Sequence, residues 1–146
     1  MEDADHHPMH LVAEFMQRFG QHVPNRPIMP PPEVQNLRFR LIDEEAQELA
    51  EATNLVEYLD AVGDLLYVVF GAALAAGFTA QQVEAAVWEI HRSNMSKLWS
   101  EDEIGNVPGD SKARPAGEGR FIVRRNDGKV IKSPSYSPAN LKPIIE

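Results

Sequence analysis

Apolar residues recur at helical spacing in four successive stretches. In residues 9–20, MHLVAEFMQRFG, Leu11, Val12, Phe15, Met16 and Phe19 fall three and four apart, and Gly20 follows as a terminator, which predicts a docked helix. The segment PNRPIMPPP (24–32) holds five prolines and cannot continue it, because each proline lacks the amide donor and crowds the preceding turn. A second helix is expected from near Glu33 to about Asn54, with Val34, Leu37 and Leu41 on its apolar side. A third covers about 56–76. Its stretch DLLYVVFGAALAAG is apolar on almost every side, and length and alanine content favour a buried helix despite the strand propensity of Val68, Val69 and Phe70. Thr79 and Gln82 fit a capping box that opens a fourth helix, about 80–98, with Val83, Val87 and Ile90 on one face.

From Ser100 the pattern changes. Glycines, prolines and charges dominate through Arg120. FIVRRNDGKVIK then offers two short extended runs around Asn126-Asp127-Gly128, the strongest local hairpin signal in the chain. An irregular arm, SPSYSPANLKPII, follows. The expected fold class is all-α with a short C-terminal hairpin or irregular arm. It divides into a helical domain over 1–104, which includes the first helix and the proline-rich linker, and an arm or lid over 105–146. No internal repeat or membrane-spanning run is expected.

Composition narrows the function. The chain has 146 residues, enough for one sizeable core. A formal net charge of −8 argues against a nucleic-acid polymer as partner, since phosphate backbones need concentrated positive surface, while leaving small phosphorylated ligands open if a cation mediates. The absence of cysteine removes disulfides, thiolate metal sites and cysteine nucleophiles. The first twenty residues lack the layout of a signal peptide, so a cytoplasmic, non-membrane location is expected.

The second helix carries an anomaly in RLIDEEAQELAEA (40–52). With about 100° per residue and Glu44 as origin, Glu48 falls at about 40° and Glu45 at about 100°, inside an arc shared with Leu37, Leu41, Val34 and Leu49. Glu44 lies at its edge. On the third helix Glu57, Asp60 and Asp64 share an arc about 60° wide beside Ala61 and Val68. Carboxylates directed toward packed protein lose hydration and repel one another. A hard divalent cation serves such a set, because magnesium prefers carboxylate and water oxygens. Solvated helix faces and an inter-protein salt network are the competing readings.

The apolar face of the fourth helix ends in Asn94 and Lys97, an amide and an ammonium on one side, able to hold a phosphate. Their plain alternatives are a helix-end hydrogen bond and a solvated terminal charge. His91 and Arg92 are further candidates for a polyanionic ligand. Trp88, Met95 and Trp99 form a stripe read mainly as core or interface packing. Arg120, Arg124, Arg125, Lys129 and Lys132 would form a lid over phosphates. No GxxxxGK[ST] is present, so a P-loop is not supported.

LIDEEAQEL, DAVGDLLYVVFG and EIHRSNMSKL, over about 34–98, resemble the MazG-like all-α nucleoside triphosphate pyrophosphohydrolase superfamily, close to bacterial dUTPase-like members. DGKVIKSPSYSPANL resembles an extension of phosphoribosyl-ATP-pyrophosphohydrolase-like relatives. The resemblance implies a helical bundle completed by oligomerisation, as a homodimer or dimer of dimers. It also implies hydrolysis between the α and β phosphates with Mg²⁺, or Mn²⁺ as a substitute, to give a monophosphate and pyrophosphate. It places catalytic and metal roles on Glu44, Glu45, Glu48 and Asp64. The acid it expects three residues before Asp64 is Ala61 here, so Asp60 is the replacement ligand, with Glu57 a second candidate. Asn94 and Lys97 match its phosphate contacts. A (deoxy)nucleoside triphosphate such as dUTP is the first substrate reading and phosphoribosyl-ATP the second, with a noncatalytic helical nucleotide-binding or interaction module as the alternative of another class.

Overall fold

The computed structural model describes residues 7–146, so the first six residues of the expected 1–104 domain lie outside the described residues. The described chain forms two compact units, one reaching to Val83 and the other running from Glu84 to Ile144.

In the first unit the expected helices form as α1 (Pro8–Arg18), α2 (Pro32–Glu51) and α3 (Leu55–Ala75), followed by the start of α4 (Ala80–Met95). Their ends follow from local chemistry. His7 Nδ1 accepts the Met9 amide at 3.1 Å to cap α1. Pro32 opens α2, where a missing amide hydrogen costs nothing. Asn54 accepts the Glu57 amide at 3.0 Å at the head of α3, and Glu57 reaches back to the Thr53 amide at 3.0 Å. Thr79 and Gln82 make both bonds of the expected capping box, at 3.0 and 3.1 Å. Across the three-residue link over 52–54, α3 returns along α2 and packs against it.

The core of this unit joins Met9, Val12 and Met16 of α1 to Leu74 and Ala75 of α3 and Ala80 of α4. It departs from the expected stripes. On α1, Leu11, Phe15 and Phe19 are exposed, and Phe15 stacks on Phe19 at 4.3 Å and meets Tyr67 of α3 edge-on. On α2 the one buried residue is Arg38, whereas Leu37 is 41% exposed. At about 100° per residue Arg38 falls between Glu45 and Leu49, so the packed arc is centred on those positions rather than on Leu37 and Leu41.

α3 is a helix as expected, but only Ala61, Gly71, Leu74 and Ala75 are buried, and Leu55, Val56 and Leu59 stand out into solvent. The expectation of no spanning-length run is also corrected. Among the described residues α3 is the one helix long and apolar enough to cross a membrane by length and composition alone. Glu57, Asp60 and Asp64 along its first half favour a packed helix of a bundle over a lipid-facing one.

The second unit holds the rest of α4 and a three-stranded antiparallel sheet in the order β1-β3-β2, from β1 (Trp99–Ser100), β2 (Ser111–Pro115) and β3 (Arg120–Arg125). Trp99 pairs with Phe121 and Ala113 with Val123. The expected hairpin partner of β3 is therefore corrected. The turn at Asn126-Asp127-Gly128 does form, with Gly128 at φ +91°, but the run beyond it contributes only the single bridge Arg124–Val130. The long partner is β2, whose SKARP sequence has no apolar alternation to announce it. The arm then folds along α4. Ser133 Oγ donates to the Ser96 carbonyl at 2.7 Å, buried Trp99 donates Nε1–H to the Ile131 carbonyl at 2.9 Å, and the chain ends in α5 (Lys142–Ile145).

Two outcomes follow from these contacts. Gly77 has φ +78°, and an added Cβ would fall on the Arg26 carbonyl. Gly77→Ala is expected to cost at least about 1–2 kcal/mol from the left-handed backbone alone, read as a lowered Tm. Glu89 accepts the Asn140 amide at 3.0 Å and pairs with Arg92, which with Asn140 holds its carboxyl down at about 2. That contribution is present above the ordinary glutamate range and lost as pH falls toward 2. Amide exchange at Asn140 should accelerate in Glu89→Gln at neutral pH, and in the wild type only under strong acid.

Candidate active site

The antiparallel pairing of α2 and α3 brings Glu45, Glu48 and Asp64 together, with one carboxylate oxygen of each within 4.8 Å of the others. Glu45 and Glu48 are neighbours across one turn of α2, and Asp64 meets them from α3. Glu48 and Asp64 are exposed, while Glu45 is half-buried and its Oε2 is buried with no hydrogen-bond partner. Burial raises the Glu45 pKa most. The charges of Glu48 and Asp64, the hydrogen bond that a protonated Glu45 makes to Glu48, and the charge of Glu44 add to it. Three carboxylates at this spacing, one of which also carries a buried oxygen without a donor, are an all-oxygen donor set. That chemistry fits a hard divalent cation such as Mg²⁺ or Mn²⁺.

The other acids fall around this cluster. Glu44 is exposed beside it. Asp60 is exposed and lines a depression of about 280 Å³ together with Glu48 and Glu57. Glu57 is engaged by Thr53 and Asn54 at the head of α3, which lowers its pKa, with the Thr53 amide as the main cause. Ala61, where the resembling motif has an acid, is 2% exposed. A carboxylate there would enter packed protein, so Asp60 is the acid this turn presents to solvent.

In the second unit Asn94 and Lys97 line one cavity of about 370 Å³, and Arg124 of β3 shares it. His91 is exposed. Arg92 is committed to Glu89 at 2.8 Å and to the Pro138 carbonyl at 3.1 Å, which ties the arm to α4. Lys132 Nζ sits 4.4 Å from the centroid of the Tyr136 ring, a cation–π contact, and Lys129 is exposed. The Tyr136 hydroxyl is lowered by a hydrogen bond with Ser93 and by the nearby Lys132, Lys97 and Arg92. Sequence reasoning missed the anchoring role of Glu89, although its spacing to Arg92 is that of a helical ion pair.

Comparison with protein families matches residues 12–94 to the family described as phosphoribosyl-ATP pyrophosphohydrolase. The matched span holds all of α2 and α3 with their three clustered acids and ends on Asn94, so Lys97 and the sheet lie beyond it. Comparison with curated proteins finds no match.

The raised Glu45 pKa has a definite sign in the metal-free protein. Above the ordinary glutamate value of 4.5 the folded state holds its proton more tightly than the unfolded state, so this group's contribution to stability falls as pH rises through its raised pKa. In EDTA, the Tm difference between wild type and Glu45→Gln should therefore move against the wild type from pH 4.5 to 7. Millimolar Mg²⁺ should raise the wild-type Tm at pH 7 and leave Glu45→Gln nearly unchanged, both read by thermal-shift measurements.

Proposed function

Because the chain belongs to the phosphoribosyl-ATP pyrophosphohydrolase family, matched over more than half its length, we propose that it hydrolyses the bond between the α and β phosphates of a nucleoside 5′-triphosphate group, releasing pyrophosphate. The observation that carries this reading is the convergence of the Glu45, Glu48 and Asp64 carboxylates, one oxygen of each within 4.8 Å of the others. The family match favours phosphoribosyl-ATP as substrate over dUTP or another (deoxy)nucleoside triphosphate, which the sequence reading had put first.

In this proposal Glu45, Glu48 and Asp64 hold a divalent cation, with Asp60 and Glu44 as flanking ligands. When bound, the cation supplies charge neutralisation to the phosphates and lowers the proton affinity of a water nucleophile. Glu44, exposed beside the cluster, binds a second cation or orients the attacking water. Asn94 donates its amide hydrogens to phosphate oxygens, and Lys97 adds hydrogen bonds and a positive charge. His91, Arg92, Lys129 and Lys132 are assigned to the outer phosphate environment. Residues 1–104 form the hydrolase domain and 105–146 the arm. A cytoplasmic homodimer or dimer of dimers would cover the exposed Leu55, Val56 and Leu59 of α3.

Purified protein offered phosphoribosyl-ATP and a panel of NTPs and dNTPs with Mg²⁺ should release pyrophosphate and the matching monophosphate, and EDTA should abolish this. Glu45→Gln, Glu48→Gln and Asp64→Asn should each lose turnover by at least about 100-fold while keeping their helical circular-dichroism spectrum. Unchanged turnover in all three overturns the assignment of the acids. Turnover of dUTP without turnover of phosphoribosyl-ATP reverses the substrate preference.

A further inference from the structure

The first unit contains a second concavity whose electrostatics are opposite to those of the acid cluster. Arg38 of α2 is 9% exposed and is the one buried cation among the described residues. Its Nη2 donates to Gln21 Oε1 at 2.8 Å, its Nε has no partner, and no ion pair among the described residues includes it. The guanidinium crosses α3 at Gly71, where an added Cβ would sit 2.6 Å from Nη1. It lines a cavity of about 790 Å³ formed by the N-terminal half of α2 and the connector before it. Arg26 is on the same wall, Pro24, Ile28 and Met29 supply apolar surface, and among the described residues no acid lines the cavity. In a chain with 22 acidic and 14 basic side chains, a cavity with two arginines and no acid among its described lining residues is a local reversal of charge.

A buried cation without a counter-charge is unfavourable, and burial lowers the Arg38 pKa with no carboxylate offsetting it. A guanidinium offers a phosphate charge-assisted hydrogen bonds, and the cavity volume is that of a small-molecule site with an apolar body and few polar groups. We propose that this cavity binds a phosphate monoester carried on a sugar or ring, with the phosphate on Arg38 and the body against Pro24, Ile28 and Met29. Two sources share this chemistry. One is a free nucleoside monophosphate, of the kind the proposed hydrolysis releases. The other is the sugar phosphate of phosphoribosyl-ATP, at the end remote from its triphosphate. Arg38 and Glu45 are seven residues apart on one face of α2, about 10 Å along the axis, so both concavities are reached from the same side of that helix. Only the second source rests on the proposed hydrolysis.

Calorimetric titration of the full chain in EDTA, with AMP and ribose 5-phosphate as probes, tests the cavity without any cation at the acid cluster. Wild type and Glu45→Gln should bind alike. Arg38→Met should bind at least about 10-fold more weakly, and so should Gly71→Ala, which keeps the charge and displaces the guanidinium. Free of ligand, Arg38→Met should melt no lower than wild type, because it removes an unpaired buried charge. In turnover assays, a KM raised by Arg38→Met for phosphoribosyl-ATP but not for dUTP assigns the cavity to the sugar phosphate of the substrate. Lost AMP binding with both KM values unchanged assigns it to a free monophosphate. The proposal is overturned if wild type binds neither probe and Arg38→Met leaves both KM values unchanged. It is also overturned if Gly71→Ala binds like wild type while Arg38→Met melts far lower, which makes Arg38 a packing residue. Loss of turnover in the acid variants bears on the hydrolysis alone.

Discussion

The antiparallel pairing of α2 with α3 is the constraint on which the rest of the first unit depends. Charged and small groups lie along it. Arg38 crosses α3 at Gly71, and two turns further along α2 Glu45 and Glu48 meet Asp64. The equal offsets, seven residues on each helix between the two contacts, are what two straight antiparallel helices of the same rise require. The aliphatic core lies elsewhere, where Met9, Val12 and Met16 of α1 meet Leu74 and Ala75 near the end of α3. Packing of α1 holds one end of α3, and the three-residue link with its Asn54 and Glu57 caps holds the other. Between those two anchors the helices can bring polar groups together that would not stay together on their own.

The two concavities along α2 divide the labour electrostatically. One end gathers acids around Glu45, whose pKa is raised most by burial and further by the neighbouring carboxylates, and the other sets arginines in a wall without an acid among the described residues. Each is costly as an isolated arrangement, and each is relieved by a ligand of the opposite sign. The chain thus keeps unfavourable electrostatics in two places along one helix rather than spreading it, a pattern expected of sites rather than of structural charge.

Most of the helical framework was legible in the sequence because its signals are local. The capping box at Thr79 and Gln82, the proline block before α2 and the glycine after α3 each act within a few residues. The acids Glu45, Glu48 and Asp64 were legible because they interrupt apolar periodicity. What periodicity could not reveal was which part of a broad apolar arc is packed. Leu37 and Arg38 are adjacent, and only the position of α1 and Gly71 decides that the arginine goes inside. The pairing of β3 with β2 was hidden for a related reason. A solvent-facing strand such as SKARP needs no apolar alternation, whereas the conspicuous Asn-Asp-Gly turn leads into a run that scarcely pairs.

The short link between α2 and α3 also bears on the order of assembly. Glu45 and Asp64 are separated by nineteen positions in the chain, most of them helical, so bringing them together closes only a small loop of otherwise free backbone. The acids therefore become neighbours as soon as the helical hairpin zips up, an event of low contact order that needs neither the sheet nor the arm. Such a nascent hairpin already sets the three carboxylates side by side while water still screens them, so the cost of their proximity grows only as later packing buries Glu45.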